Sequence, residues 1–481
     1  MSEPPHGPAT KAKLWHAMIP VLGLMLCIGV TLLKFGGEAH IPLLMGSVMA
    51  ACVGWYLGHD WASMEAGILD GIAMGLKAIL ILCIIGIMIS VWIAAGIVPN
   101  LILHGLELLS PGLFLAAACL ICAIVSLATG SSWTTASTVG IALMGVAAGL
   151  NVPAPMAAGA IISGSYFGDK MSPLSDSTNL APAVAGSELF EHIHHMLCTT
   201  LPALGLSLLA YLFLGLQGMR GQESMGQVEA ITQTIEQQFT PSLWLWLPPA
   251  LVLIMVLLRW PALPALVVAI VSGGILAMGV QGVTPGALLE IAHHGFVMQS
   301  GNAMVDELLS RGGLDSMMHT VALILCALAF GGLMERIGLL HVLAANALRL
   351  ARSTGSLVTT TIATGLGVNL LAPDQYLSII LPGRMYREAY QQRGLHPKNL
   401  SRALEDGGTL SSPLIPWNSC GAFMATTLAV SPLAYLPWAM LNWLTPLISI
   451  ALAYTGWTLV KAPLPQQASA PNTHQDASSP K

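Results

Sequence analysis

The chain has 481 residues, of which 55% are hydrophobic and only 9% are charged, and its formal net charge is −5. A mean hydropathy of +0.73 excludes an ordinary soluble domain. Apolar runs recur along the whole chain, which predicts an all-α polytopic membrane protein. Its expected surroundings are a lipid bilayer and not a nucleic acid.

The first part of the chain begins with a polar segment, residues 1–17, predicted to be a cytoplasmic tail because Lys11 and Lys13 precede the first apolar run. That run, 17–33, has no clear small-residue cleavage site before Lys34, so we interpret it as a retained helix and not a signal peptide. We expect the first transmembrane unit to cover 18–216. Its further spans are predicted at 41–58, at 72–96, as about three passes within 108–168, and at 196–216.

Residues 217–241 form the one long polar stretch inside the chain and are predicted to be an extramembrane linker. A second unit, 242–460, follows it, and residues 461–481 are predicted to be a disordered tail. Predicted features of the second unit are spans at 242–258, 261–280 and 317–334, an amphipathic 338–352, an uncharged 353–373, a basic loop-like stretch from Arg384 to Arg402, and an uncharged 407–460. About eleven spans are expected in total.

The two units share short sequences in the same order. Gly-Ile-Leu-Asp at 67–70 matches Gly-Gly-Leu-Asp at 312–315 with an offset of 245 residues, and Ser-Pro-Leu at 172–174 matches 412–414 with an offset of 240. This small drift indicates an internal duplication. In transporters built from repeats, the substrate typically lies where discontinuous helices of the two repeats meet.

The segment 164–186 is the most informative part of the sequence. It follows a run, 108–168, without a single Asp, Glu, Lys, Arg or His, and then brings Asp169, Lys170 and Asp176 together with several hydroxyl residues. Charge at membrane depth is normally functional, and Pro173 disfavours a continuous helix. Non-helical backbone at that depth is tolerated only when it is buried in protein or lines a cavity. We therefore predict the unwound centre of a broken transmembrane helix.

Three further polar stretches accompany this segment. Residues 129–135 carry five hydroxyl groups, 373–376 contain Asp374, and 405–419 surround the second Ser-Pro-Leu. Hydroxyl, amide, carboxylate and carbonyl oxygens suit Na⁺, and a partly desolvated carboxylate also binds a proton more readily. The sequence therefore predicts a site that exchanges Na⁺ for H⁺. Half-helix N-termini would instead favour a carboxylate substrate.

Several of these residues also allow a purely structural interpretation. Asp176 and Asp374 are candidates for helix N-caps, and Asp169 for a local salt bridge with Lys170. Glu405 and Asp406 close a basic segment and are expected to be solvated. The three histidines at 192, 194 and 195 are expected at the membrane interface, because no matching metal ligands accompany them.

Long strings of the chain closely resemble the NhaC-type sodium/proton antiporters of the ion-transporter superfamily. They include Gly-Ser-Ser-Trp at 130–133, Tyr-Phe-Gly-Asp-Lys-Met-Ser-Pro-Leu-Ser-Asp-Ser-Thr-Asn at 166–179, Asp-Gln-Tyr-Leu-Ser at 374–378 and Leu-Pro-Gly-Arg-Met-Tyr at 381–386. The resemblance implies two inverted repeats with re-entrant hairpins and broken helices, and frequently a homodimer. The site residues that it implies are Ser131, Ser132, Asp169, Ser172, Asp176, Thr178, Asn179, Asp374, Ser412, Asn418 and Ser419. Of these, Asp176, Asn179 and Asp374 are the expected Na⁺ ligands.

The function expected from the residues and the resemblance is Na⁺/H⁺ exchange across the cytoplasmic (inner) membrane, with no cofactor beyond the transported ions. Some members of the family look like Na⁺-coupled exchangers of malate and lactate, so an organic-acid exchanger is the alternative. The absence of an arginine near either unwound segment before Arg384 favours cations.

An enzyme is not expected. Phe167-Gly168-Asp169 resembles part of the Gly-x-Gly-Asp motif of intramembrane aspartyl proteases, but Tyr166 occupies the first glycine position. The sequence contains neither His-Glu-x-x-His nor a phosphate-binding loop, so ATP-driven transport within this chain is not expected either. A passive channel would not need a titratable residue such as Asp176 in its site.

Overall fold

The structure is a computed structural model that describes residues 12–218, 225–258 and 260–462. Most of the predicted tails (1–11 and 463–481) and part of the predicted linker (219–224) lie outside these residues. The described residues form helices throughout, with no β-strand and a single isolated antiparallel bridge between Leu395 and Lys461. The prediction of an all-α protein is therefore confirmed.

Ten α-helices form the first part of the chain, and a π-helical turn, Ala136–Gly140, joins the sixth to the seventh. A polar break follows α8, where Pro173 cannot donate a backbone hydrogen bond. The helices are α1 (Leu14–Phe35), α2 (His40–Tyr56), α3 (Trp61–Ala94), α4 (Ile97–Leu108), α5 (Pro111–Thr129), α6 (Ser132–Thr135), α7 (Ile141–Gly149), α8 (Ala154–Met171), α9 (Asp176–Ala185) and α10 (Leu189–Gly218).

Thirteen helices follow in the rest of the described chain. They are α11 (Met225–Gln238), α12 (Leu247–Leu257), α13 (Ala262–Gly279), α14 (Pro285–His294), α15 (Ala303–Leu309), α16 (Leu314–Arg336), α17 (Leu339–Leu348), α18 (Thr354–Leu371), α19 (Gln375–Gln392), α20 (Pro397–Leu404), α21 (Ser419–Leu428), α22 (Pro432–Tyr435) and α23 (Met440–Thr455). Shorter turns are the 3₁₀ segments Leu243–Trp246 and Ser412–Leu414 and the π-helical segment Glu405–Thr409.

The basic stretch from Arg384 to Arg402 was expected to be loop-like, and this expectation is wrong. Most of it lies in α19 and α20. Arg, Met, Glu, Ala and Gln dominate residues 384–392, and all of them are good helix formers.

Among the described residues, five helices are long and apolar enough to cross a membrane, namely α1, α3, α5, α10 and α16. A sixth candidate combines Glu229–Gln238 with Leu243–Met255, which meet at 105°. Other apolar helices among the described residues have only 10–17 residues. The protein is thus a polytopic membrane protein, and the number of about eleven spans stays a prediction.

Glycines allow the longest helices to pack closely. A Cβ atom added at Gly71 of α3 would lie 2.6 Å from the carbonyl oxygen of Leu328 in α16. In the same way, a Cβ atom at Gly164 of α8 would lie 2.0 Å from the carbonyl oxygen of Cys119 in α5, and one at Gly168 would lie 2.3 Å from the backbone nitrogen of Leu127. Small residues at helix crossings are typical of membrane proteins. Here they fix the end of α8, where the polar break begins.

Candidate functional site

A cavity of about 750 Å³ lies where the broken helices of the two parts of the chain meet. It is bounded by α3, by the turn that joins α5 to α6, by the break between α8 and α9, and by the N-terminal ends of α19 and α21. Its polar lining includes Thr129, Ser131, Ser132, Thr134, Asp169, Ser175, Asp176, Ser177, Asp374, Gln375, Tyr376 and Ser419, with Lys77 from α3.

Asp169 is the buried carboxylate of the first part of the chain, with an exposed fraction of 8%. Its Oδ2 accepts hydrogen bonds from the backbone nitrogen of Ser132 at 3.2 Å and from the Ser132 hydroxyl at 2.6 Å. Its Oδ1 accepts a hydrogen bond from the Ser175 hydroxyl at 2.5 Å. The carboxylate therefore connects α6, α8 and the break before α9.

The helix break itself is held by hydroxyl groups. α8 ends at Met171, one residue before the Ser-Pro pair, and α9 begins at Asp176. The Thr178 hydroxyl lies 3.0 Å from the carbonyl oxygens of both Asp169 and Lys170, which have lost their helical partners. This arrangement fixes the peptide between Asp169 and Lys170 as well as the direction of α9.

The turn between α5 and α6 depends on Gly130. This residue has φ +68° and ends α5, and a Cβ atom here would lie 2.7 Å from Cβ of Leu174. A glycine therefore allows the turn to approach the break between α8 and α9. The next residue, Ser131, caps α6 by accepting a hydrogen bond from the backbone nitrogen of Thr134 at 3.2 Å.

Asp374 is the buried carboxylate of the second part of the chain, with an exposed fraction of 6%. It caps α19 by accepting a hydrogen bond from the backbone nitrogen of Leu377 at 2.9 Å. Its capping and its place in the cavity wall are compatible, because one carboxylate has several acceptor positions.

Three separate segments of the second part come together beside Asp374. The Gln375 side-chain oxygen lies 3.3 Å from the Ser412 hydroxyl and 3.0 Å from the Cys420 sulfur. The backbone nitrogen of Ser419 donates a hydrogen bond to the carbonyl oxygen of Pro373 at 3.1 Å. These bonds attach the start of α21 to the start of α19.

Trp133 joins the two parts of the chain across the cavity wall. Its indole stacks on the ring of Phe423 in α21, with centroids 4.1 Å apart and an interplanar angle of 9°. The stack places an aromatic fluorophore within the cavity lining.

Asp176 lies at the exposed mouth of the cavity and not in its buried part. Its carboxylate accepts a hydrogen bond from Lys77 Nζ at 3.1 Å, and the two side chains are 63% and 66% exposed. The Tyr376 hydroxyl lies 3.5 Å from the same oxygen. The cap of α9 is Ser175 and not Asp176, so the capping interpretation of Asp176 is wrong.

Six of the eleven site residues expected from the sequence line the cavity: Ser131, Ser132, Asp169, Asp176, Asp374 and Ser419. The other five support its walls. Ser172 and Ser412 are fully buried in the two breaks, and Thr178 bonds to the end of α8 as described above. Asn418 caps α21 through the backbone nitrogen of Cys420 at 3.0 Å.

Asn179, an expected Na⁺ ligand, is also outside the cavity lining. Its side-chain amide donates hydrogen bonds to the carbonyl oxygens of Pro173 at 2.8 Å and Ser175 at 2.7 Å. Asn179 thus stabilises the break between α8 and α9 and does not line the cavity.

The polar groups missed by sequence reasoning are buried in the protein outside the cavity lining. Glu405 and Asp406 were expected to be solvated, but both are fully buried. Lys170 forms its ion pair with Asp406 and not with Asp169. Arg402 is also fully buried, with Nε 3.9 Å from Oδ2 of Asp406. Arg402 comes after Arg384 in the chain, so it does not bear on the expectation that no earlier arginine lies near an unwound segment, and it does not line the cavity.

Two of the three histidines are buried inside the protein, and the position of all three relative to the membrane interface stays a prediction. His192 is fully buried, His195 is 7% exposed, and Nδ1 of His192 lies 2.8 Å from the Ser401 hydroxyl. A sign of the buried charges was present in the sequence, because Arg402, Glu405 and Asp406 come just before the long uncharged run that begins at Gly407.

The cavity offers carboxylate and hydroxyl oxygens from both parts of the chain, next to broken helices. Three aspartates and one lysine line it. Such a lining favours a cation over an anion. Carboxylate and hydroxyl oxygens are also the ligands that alkali cations require, and a carboxylate can bind a proton in place of the cation.

Comparison with known proteins shows which family this chain resembles. Residues 164–457 match the sequence model of the Na⁺/H⁺ antiporter family. The Na⁺/H⁺ antiporter NhaC of Alkalihalophilus pseudofirmus is 42% identical over 438 residues, which are 91% of this chain and 94% of that protein.

Two further relatives carry other names. The arginine/ornithine antiporter ArcD of Halobacterium salinarum is 36% identical, covering 94% of each chain. The malate-2H⁺/Na⁺-lactate antiporter of Bacillus subtilis is 34% identical, covering 91% of this chain and 94% of that protein. The resemblance seen in the sequence is confirmed, and the chain belongs to the Na⁺/H⁺ antiporter family, with its highest identity among these three to an antiporter of the NhaC type.

Proposed function

We propose that this protein is a secondary active transporter that exchanges Na⁺ for H⁺. The observation that carries the proposal is that Asp169 and Asp374, two buried carboxylates from different parts of the chain, line one cavity between broken helices. The NhaC relative, at 42% identity, is named a Na⁺/H⁺ antiporter.

In this mechanism the two carboxylates bind Na⁺ or protons alternately. A desolvated carboxylate without a cation favours its protonated form, and a bound Na⁺ favours its ionised form. Ser131, Ser132 and Ser419 lie in the same lining and supply further oxygens. Competition for one pair of carboxylates therefore couples the inward movement of one ion to the outward movement of the other.

We further propose that the units 18–216 and 242–460 are inverted repeats with re-entrant hairpins, together making about eleven spans. The support is that each unit breaks a helix at a Ser-Pro-Leu sequence, at 172–174 and at 412–414. In repeat-built transporters, alternating access arises when one repeat or bundle rocks against the other. A cytoplasmic N-terminus, an inner-membrane location and a homodimer complete the proposed arrangement.

Exchange of organic substrates is the second candidate function. Its support is the size of the cavity, about 750 Å³, which exceeds what a Na⁺ ion needs, together with the names of the two other relatives. The three aspartates in the lining disfavour a dicarboxylate such as malate, but they do not disfavour a cationic amino acid. Among the organic candidates, the charge of the lining thus favours cationic amino acids over dicarboxylates.

The test is transport by purified protein in proteoliposomes that carry a pH gradient and an internal pH dye. Na⁺, Li⁺, K⁺, malate, lactate, arginine and ornithine are added one at a time. We expect Na⁺ to collapse the gradient in the absence of any organic compound. Collapse only by malate and lactate, or only by arginine and ornithine, would replace Na⁺/H⁺ exchange by the corresponding organic exchange.

A further inference from the structure

A compact group of four buried charges lies beside the ion cavity without lining it. We call it the charge cluster; its members are Lys170 at the end of α8, Arg402 in α20, and Glu405 and Asp406 in the π-helical segment. All four side chains are fully buried. Lys170 donates to Asp406 Oδ1, and the Thr199 hydroxyl lies 3.3 Å from the same oxygen.

The hydrogen bonding of this cluster is incomplete. Within the described residues, neither carboxylate oxygen of Glu405 and none of the three guanidinium nitrogens of Arg402 has a hydrogen-bond partner of good geometry. A buried ion without such partners is strongly disfavoured relative to its neutral form. Arg402 cannot lose its proton at physiological pH, whereas Glu405 can gain one. Lys170 and Asp406 neutralise each other in their ion pair. Glu405 is therefore the titratable member of the cluster that has no partner to hold its charge.

The ligand that fits this position is a proton. Glu405 is fully buried, and none of the four cluster residues lines the ion cavity. A proton needs no space beyond the carboxyl group itself. A metal ion would need several oxygen ligands around it, and here Lys170 and Arg402 supply positive charge instead.

The charge cluster is connected to the ion cavity through two adjacent residues of α8. Asp169 faces the cavity, and the next residue, Lys170, reaches into the cluster. The Thr178 hydroxyl lies 3.0 Å from the carbonyl oxygens of both residues, so α9 holds this peptide in place. Movement of Asp169 on ion binding would therefore also move the adjacent Lys170 and its ion pair with Asp406.

The charged groups that act on Glu405 are Lys170 and Asp169 on α8 and Asp406, the next residue of its own segment. The helices packed against this segment add further ionisable residues, including Asp176 on α9, Tyr386 and Tyr390 on α19, and Arg402 on α20. On α10, His192 lies near Lys170 and His195 near Arg402, and the Nε2 atoms of both histidines have no hydrogen-bond partner among the described residues. The sequence of α18 contains no ionisable residue, and that of α23 contains only Tyr454.

We propose that Glu405 is a second proton-binding residue of the exchange cycle, coupled to the ion cavity through the Asp169–Lys170 peptide and the Lys170–Asp406 pair. This inference rests on the proposed Na⁺/H⁺ exchange. A Na⁺ ion in the cavity adds positive charge near Glu405, which favours its ionised form. The Glu405 O–H bond then breaks, the electron pair stays on the carboxylate, and the proton leaves to water. When Na⁺ departs, Glu405 takes up a proton again.

The experiment measures protons released per Na⁺ bound by the purified full-length protein in weakly buffered detergent solution. Na⁺ binding is followed by tryptophan fluorescence, since Trp133 lines the cavity, and proton release by a pH dye. We expect Glu405→Gln to bind Na⁺ but to release about one proton fewer per Na⁺ than the unmodified protein. Glu405→Asp keeps a carboxyl group and should restore the release.

The matched control is Glu388→Gln, which removes an exposed carboxylate on α19 whose hydrogen-bond partner in the described part of the chain is Gln392 of the same helix. It should leave proton release unchanged. Equal release by Glu405→Gln and the unmodified protein would overturn the proposal. Loss of Na⁺ binding in Glu405→Gln, with a normal elution profile, would also overturn it, because Glu405 would then belong to the cation site. Absence of Na⁺ binding in the unmodified protein would instead contradict the proposed function.

If Glu405→Gln fails to fold, infrared difference spectra on Na⁺ addition provide the second measurement. The unmodified protein should lose a protonated-carboxyl band, and Glu405→Asp should shift the frequency of that band. An identical band in both proteins would overturn the proposal.

Discussion

Lys170 and Asp406, which are 236 positions apart in the sequence, form an ion pair in which both side chains are fully buried. The pair joins the end of α8 to the π-helical segment after α20, so it connects the two broken helices around the cavity. Removing one partner of a buried pair leaves an uncompensated charge, which typically costs about 3–5 kcal/mol.

We therefore expect Lys170→Met to lower the apparent unfolding temperature of the detergent-solubilised protein markedly. The double variant Lys170→Met with Asp406→Leu should recover part of the loss, because both charges of this pair are removed together while Arg402 loses its nearest carboxylate. A single variant as stable as the unmodified protein, measured by the same thermal scan, would show that the pair contributes no more than an exposed one.

Asp169→Asn should reduce Na⁺-dependent proton flux by a factor of at least about 100, since a good part of the charge stabilisation at a desolvated site is lost. The asparagine can still accept hydrogen bonds from Ser132, so the amount of folded protein should stay near normal. Flux is measured in proteoliposomes, with Glu188→Gln, an exposed carboxylate at the start of α10, as the control. Undiminished flux in Asp169→Asn would remove Asp169 from the site.

Asp176→Asn should have a much smaller effect than its prominence in the sequence suggests. Its pair with Lys77 is exposed, and such pairs contribute about 0–1 kcal/mol and are screened by salt. We expect the apparent KM for Na⁺ to rise less than about tenfold, with the maximal rate retained and the effect weakening as choline chloride is added. A complete loss of flux would mean that Asp176 ligates the ion directly.

Gly168→Ala should destabilise the protein and impair transport together. The new Cβ atom would lie 2.3 Å from the Leu127 backbone nitrogen, so α8 would have to move away from α5 and carry Asp169 with it. Overpacking of this kind costs about 1–3 kcal/mol. Gly205→Ala on α10 is the control, because a Cβ atom there has no neighbour within 4 Å. Equal unfolding temperatures for the two variants would contradict the close packing of α5 and α8.

The parts of this architecture that sequence could predict are those with local causes. Pro173 and the hydroxyl residues around it indicate the break after α8, and Pro373 next to Asp374 indicates a second polar break. The burial of a charged residue, by contrast, depends on which distant residue it pairs with in the fold. Asp176 meets Lys77 at a separation of 99 residues, and Asp406 meets Lys170 at 236.

For this reason the sequence predicted Asp176 to be a buried ligand and Glu405 to be solvated. In the structure Asp176 is exposed at the cavity mouth and Glu405 is fully buried. The basic composition of 384–402 also favoured a loop, although its residue types are good helix formers. Long-range pairing of charges is thus the information that local patterns do not contain.

Equilibrium binding of ²²Na⁺ to the purified protein tests most directly whether Asp169 and Asp374 together hold the ion. Binding is compared for the unmodified protein, Asp169→Asn, Asp374→Asn and the control Glu188→Gln, all with matched elution profiles. We expect both aspartate variants to lose Na⁺ binding and the control to retain it. Binding of Na⁺ by both aspartate variants with unchanged affinity would contradict a shared cation site in this cavity.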